Sequence, residues 1–152
     1  MHLEYFQMVD SVQSIDAHEG AIEVRACVPV KSPVFEGHFP GFEVLPGTLL
    51  IETMAQSAGF LMLARNGFGK LPFLAMVKEA KMRGFVEPGT ELSVDARIEQ
   101  AGSAYALVKA AIRAGGKRMC NATLMLSEVD FPTAELRDLV RARGRDVGLE
   151  VA

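Results

Sequence analysis

An α+β fold, an antiparallel sheet curled around one long central helix, is what this sequence predicts. Three observations lead there. Residues 48–65 carry a single helix signal that is apolar nearly all round. Short strand-like runs flank it, two before and four after, and those at residues 21–30, 91–98 and 104–114 set their apolar residues on one face. Turn chemistry rather than helix signal separates those runs. A helix with no polar face must be enclosed on most sides, and strands on either side of it in sequence can enclose it as one curved sheet.

Each element has its own signal. In residues 21–30, Ile22, Val24, Ala26, Val28 and Val30 fall on one face and Glu23, Arg25 and Cys27 on the other, the pattern of a half-buried strand. Residues 5–15 read as its partner strand, with residues 16–20 as the turn. Pro33, Gly37, Pro40, Gly41, Pro46 and Gly47 break the pattern across residues 31–47, which predicts a long ordered loop. The central helix follows and stops at Asn66-Gly67. Strands are expected at residues 71–84, 91–98, 104–114 and 117–129, parted by Pro88-Gly89, Gly102-Ser103 and Gly115-Gly116. Residues 132–143 suit a short surface helix with Pro132 in its first turn and Gly144 at its end. Residues 145–152 suit a frayed tail. The whole reads as one domain, with a core over residues 1–130 and a helical extension over 131–152.

Composition narrows the function. The chain has 152 residues, 49% apolar and 23% charged, the profile of one globular domain. A net charge of -3 and no dense basic run argue against a nucleic-acid partner. Cys27 and Cys120 lie far apart with no metal-ligand spacing, so two reduced thiols in a cytoplasmic protein are expected, without disulfide or zinc. The first residues show no basic start followed by an apolar stretch, so no signal peptide is read there. Glu52, Thr53, Gln56 and Ser57 interrupt the apolar helix, which argues against a membrane span. Of the eight methionines, Met54, Met62, Met76 and Met125 are expected in the core, where flexible side chains could also line an acyl tunnel.

The chemistry is concentrated in residues 38–56. Glu52 and Gln56 lie four apart and share one helix face. The rest of that helix is apolar, so a carboxylate there is poorly solvated, which favours the protonated form. A protonated carboxyl is a usable general acid near neutral pH. His38, in the loop that leads into the helix, is the side chain best suited to be the base. Pro46-Gly47 opens the helix, where glycine admits a ligand close to the backbone. The first amides there lack internal partners and carry partial positive charge. A thioester carbonyl set against them is polarised as its α-carbon loses a proton. Base, acid and oxyanion donor are what elimination of water from a β-hydroxyacyl thioester requires. His2 and His18 lack such a context and read as surface residues.

This stretch closely resembles the signature of the β-hydroxyacyl-acyl carrier protein dehydratases of the hot-dog superfamily. The matching residues are Gly37-His38-Phe39-Pro40, Pro46-Gly47, Glu52 and Met54-Ala55-Gln56, and the separation of His38 from Glu52 also matches. The resemblance continues more weakly over about residues 3–130. Glu43 departs from it, standing where the family usually has proline, and the 132–143 helix lies beyond the usual family end. A glutamate rather than an aspartate at position 52 is similar to the plain dehydratases, not the dehydratase/isomerases.

The resemblance implies a hot-dog fold and dehydration of (3R)-hydroxyacyl thioesters to trans-2-enoyl thioesters in fatty-acid synthesis. His38 would take the α-proton and Glu52 would protonate the departing hydroxyl. Gly47, with Gly41 and Gln56 nearby, would serve the oxyanion and the substrate. It further implies sites shared between the subunits of a homodimer, with hexamers also known, and no cofactor beyond the substrate's own phosphopantetheine. The acyl carrier protein is acidic, so Lys78, Lys81 and Arg83 are candidate contacts, with Arg137, Arg141 and Arg143 as a second set. Three alternatives stand beside this reading: an (R)-specific enoyl-CoA hydratase, a thioesterase on the same fold, and a non-catalytic acyl-binding protein.

Overall fold

The computed structural model describes residues 1–151. Six strands, β1 (Ser11–Asp16), β2 (Ala21–Cys27), β3 (Leu71–Met82), β4 (Glu91–Ala101), β5 (Tyr105–Ala114) and β6 (Lys117–Val129), form one antiparallel sheet. Their order is β1-β2-β4-β5-β6-β3. Helix α1 (Pro33–Gly37) is short, α2 (Gly47–Arg65) is the central helix and α3 (Ala134–Asp146) closes the chain. The fold is the expected hot-dog arrangement.

The alternating residues point where the pattern predicts. Val24, Ala26, Val94, Ala96, Val108, Ala110, Leu124 and Leu126 are buried against α2. From α2, Leu50, Met54, Ala58 and Leu61 enter the same core. Thr53 and Ser57 are fully buried on this helix. Their hydroxyls donate back to the carbonyls of Leu49 (2.7 Å) and Thr53 (2.8 Å), so neither is left unsatisfied. By length and hydropathy α2 could cross a membrane, yet it is packed inside the sheet. Cys120 is buried and desolvation pushes its thiol up to about 11, whereas Cys27 is exposed.

Several elements differ from expectation. Strand β1 begins only at Ser11; residues 3–5 form a 3₁₀ turn and Phe6 is left-handed (φ 53°). Residues 6–8 leave the ladder because their backbone serves Gln56: the Met8 N–H donates to its side chain and the Phe6 carbonyl accepts from it; Asp10 already bonds Arg25 O through its amide, and its carboxylate receives the Cys27 amide. The expected loop holds α1, because Ser32 caps the Val34 amide and Pro33 sits in the first turn. Met76 is exposed on the edge strand β3 rather than in the core.

The C-terminal segment also differs. Thr133 is the cap of α3, accepting the Leu136 amide, so Pro132 precedes the helix rather than entering it. Gly144 lies inside α3 and is buried against Phe68; a Cβ there would sit 2.7 Å from the Phe68 ring. The left-handed residue that ends the helix is Gly148 (φ 94°). Its amide bonds Arg145 O, and the Leu149 amide bonds Gly144 O, the paired bonds of a glycine helix stop. The tail is not frayed: Val147 and Leu149 are buried, and Val12 donates to Val147 O. Of the segment expected to fray, Ala152 lies outside the described residues.

Candidate active site

His38 sits where α1 ends. Its amide donates to Phe35 O, its carbonyl accepts from Val44 N, and the Phe39 ring stacks on its imidazole with centroids 4.2 Å apart. Imidazole Nδ1 lies 3.2 Å from Val44 O. A carbonyl can only accept, so Nδ1 carries a hydrogen, and in the neutral ring that leaves the lone pair on Nε2. The loop thus holds His38 in the tautomer of a base. Beyond it, Phe39 and Phe42 exchange both backbone hydrogen bonds at 2.9 Å, and Gly41 (φ 77°) makes that turn possible.

A cavity of about 370 Å³ opens beside His38, lined also by Leu45, Gly47, Leu50, Met82 and Phe85. Gly47 is the first residue of α2, so the first unpaired helix amides lie at this cavity. An exposed aromatic pair, Phe42 and Phe85, stands edge to face nearby.

Glu52 lines a different cavity, of about 660 Å³, with Gln56 beside it. Gln56 is held from three sides. Its Oε1 accepts the Met8 amide (3.0 Å), and its Nε2 donates to Phe6 O (2.6 Å) and Glu52 Oε1 (2.8 Å). The Met8 amide can only donate, so it fixes the orientation of the carboxamide and aims the NH₂ at Glu52. Glu52 Oε2 has no protein partner among the described residues. Within one chain Glu52 is half-buried rather than enclosed, because its cavity is open on one side.

One chain therefore does not bring the sequence-predicted residues together. His38 and Gly47 share one cavity; Glu52 and Gln56 share another. Gly41 shapes the turn and lines neither. Lys78 is exposed at a bulge of β3, Lys81 pairs with Glu79 at 2.8 Å, and Arg83 donates twice to Asn121 Oδ1. The Lys81 ammonium holds the Glu79 carboxyl below the usual range. His2 is exposed and His18 is at the surface beside Glu19, as expected. Sequence reasoning missed the backbone of Phe6 and Met8, which no local pattern links to Gln56, and the α3 residues that line the Glu52 cavity. It also missed the stacked Phe39, whose place next to His38 was the available signal.

The FabA-like domain model matches residues 1–123. A 3-hydroxyacyl-[acyl-carrier-protein] dehydratase FabZ from Latilactobacillus sakei is 36% identical over 118 residues, covering 77% of this chain and 84% of that protein. A namesake from Caulobacter is 31% identical over 134 residues, covering 86% and 82%. Among solved structures, the PA5202 protein of Pseudomonas aeruginosa superposes with a TM-score of 0.64 at 21% identity, covering 83% and 91%. The Escherichia coli PaaI protein gives 0.62 at 14%, covering 78% of each chain. These two likenesses show the shared fold. The sequence relatives and the matched domain go further: the chain belongs to the FabA-like family, among relatives of the FabZ dehydratases.

Proposed function

We propose that the chain dehydrates (3R)-hydroxyacyl-acyl carrier protein thioesters to trans-2-enoyl thioesters, in cytoplasmic fatty-acid synthesis, as a homodimer with shared sites. The observation that carries the arrangement is the separation of His38 from Glu52 into two cavities at opposite ends of one edge strand. Leu71–Leu74, at the start of β3, line the Glu52 cavity; Met82, at its end, lines the His38 cavity. Strand β3 is at the sheet edge and exposes Phe73, Met76, Val77 and Met82. A long apolar edge is a template for pairing with another strand. Antiparallel pairing of β3 with its copy sets the start of one strand beside the end of the other. Each Glu52 cavity then abuts the partner's His38 cavity, and two complete sites form.

The chemistry follows from the atoms available. The thioester carbonyl lies against the Gly47 amide. His38 Nε2 takes the α-proton, the electron pair forms the α,β double bond, and the β-C–O bond breaks. Glu52 Oε2 gives its proton to the leaving oxygen, so water departs, and the enzyme returns to its starting state when the proton on His38 passes back to Glu52 through solvent. Gln56, which bonds the other carboxylate oxygen, is a positioning residue. Lys78, Lys81 and Arg83 flank the His38 end of β3 and suit an acidic carrier protein; Lys81 would first have to leave Glu79.

The decisive assay is ultraviolet absorbance of the enoyl thioester when the protein meets β-hydroxyacyl-carrier substrate. Absorbance that rises to equilibrium without release of free thiol is expected. Free thiol without enoyl product would identify a thioesterase instead. Equal turnover of coenzyme A and carrier thioesters would favour a hydratase of coenzyme A esters.

Gln56→Leu removes the hydrogen bond that orients the Glu52 carboxyl and should lower kcat by about 10- to 100-fold with KM little changed. A loss confined to KM, or to thermal stability, would mean that Gln56 only ties down the N-terminal segment.

A further inference from the structure

The Glu52 cavity has a wall that the family model does not include. Helix α3 begins at Ala134, past the matched residues 1–123. Its Leu139, Val140 and Ala142 line the cavity together with Phe60, Leu63 and Leu126. We infer that this space, with α3 as its outer wall, takes the acyl tail of the substrate and that α3 sets which chain lengths are turned over.

The inference rests on the dehydratase reading, and the order of atoms in the substrate supports it. The carbonyl and α-carbon belong at Gly47 and His38, the β-oxygen at Glu52. Every carbon beyond the β-position must therefore lie past Glu52, on the side away from the His38 cavity. The space on that side is the apolar one beneath α3. Its volume of about 660 Å³ falls within the range of small-molecule sites. Arg143 and Asp146, from the last turns of α3, line the same cavity, and Arg143 is held there by its bond to Val9 O beside Met8.

The wall is firmly placed. Gly144 allows α3 to touch the Phe68 ring, Arg143 donates to Val9 O, and Val147 and Leu149 anchor the following turn in the core. Yet Leu139 is 68% exposed on that helix, a large apolar side chain left beside an apolar space. A tail lying along it would cover it.

Ala142→Leu adds bulk to the wall without touching Glu52, Gln56 or His38. The experiment compares kcat/KM for β-hydroxybutyryl, β-hydroxyoctanoyl and β-hydroxymyristoyl carrier thioesters in wild type, Ala142→Leu and Leu139→Trp. Melting temperatures are measured beside them. The expected result is a myristoyl rate lowered by about tenfold or more, with the butyryl rate within about twofold of wild type. Leu139→Trp, at an exposed position, serves if Ala142→Leu does not fold. An unchanged length profile, or a loss equal at every length, overturns the inference. Failure of wild type to dehydrate even the butyryl substrate would instead bring down the dehydratase reading itself.

Discussion

His38→Ala and Glu52→Gln chains, each expected to be inactive alone, should regain about a quarter of wild-type activity when mixed in equal amounts and allowed to exchange subunits. Each substitution removes one proton-transfer group and should lower kcat/KM by about 10³-fold by itself. The recovery follows from where the two groups sit. His38 and Glu52 of one chain line separate cavities, so in the proposed dimer a complete site takes one group from each subunit. In a mixed dimer, one site pairs the altered histidine position with the altered glutamate position and is dead. The other pairs intact His38 with intact Glu52 and works. Half of the dimers are mixed, each with one working site of two. The measurement is enoyl absorbance after unfolding and refolding the variants together, with exchange verified by differently sized tags. Complete exchange without recovered activity would mean that each chain holds its own acid and base.

Met76→Lys should convert the proposed dimer to monomers and abolish turnover, with kcat/KM falling by about 10²-fold or more. Met76 is 49% exposed in the middle of β3, between the stretch that lines the Glu52 cavity and the one that lines the His38 cavity. An added ammonium there costs the isolated chain little, because the position faces solvent. At a two-fold strand pairing it would meet its own copy near the axis, and two like charges opposed across strands are destabilising. Sedimentation reports the mass, and circular dichroism reports whether the fold persists. A variant that stays dimeric and fully active would place the dimer contact elsewhere.

The fold was legible wherever periodicity carried it. Val24 and Val94 alternate with polar neighbours and are buried, as are Val108 and Leu124 on the inward faces of their strands. The central helix begins within one residue of its expected start, because Pro46-Gly47 marks it. Positions decided by long-range partners were not legible. Phe6 to Asp10 look like strand, but Gln56, some fifty residues on, takes two of their backbone groups. Gly144 looks like a helix stop, but Phe68 needs the space where its Cβ would be, and Gly148 four residues later does the stopping. The Pro132 reading failed because Thr133 is the better cap.

The sequence alone determined the curved sheet around an apolar helix, the strand faces and the identity of the candidate base and acid. All of these rest on local spacing: period two in strands, period 3.6 in helices, and fixed offsets in one motif. Only the tertiary structure decided that His38 and Glu52 of one chain stand apart, that Gln56 points its amide at Glu52, and that α3 walls the Glu52 cavity. Each depends on residues far apart in the chain, and sequence spacing carries no record of which distant surfaces meet.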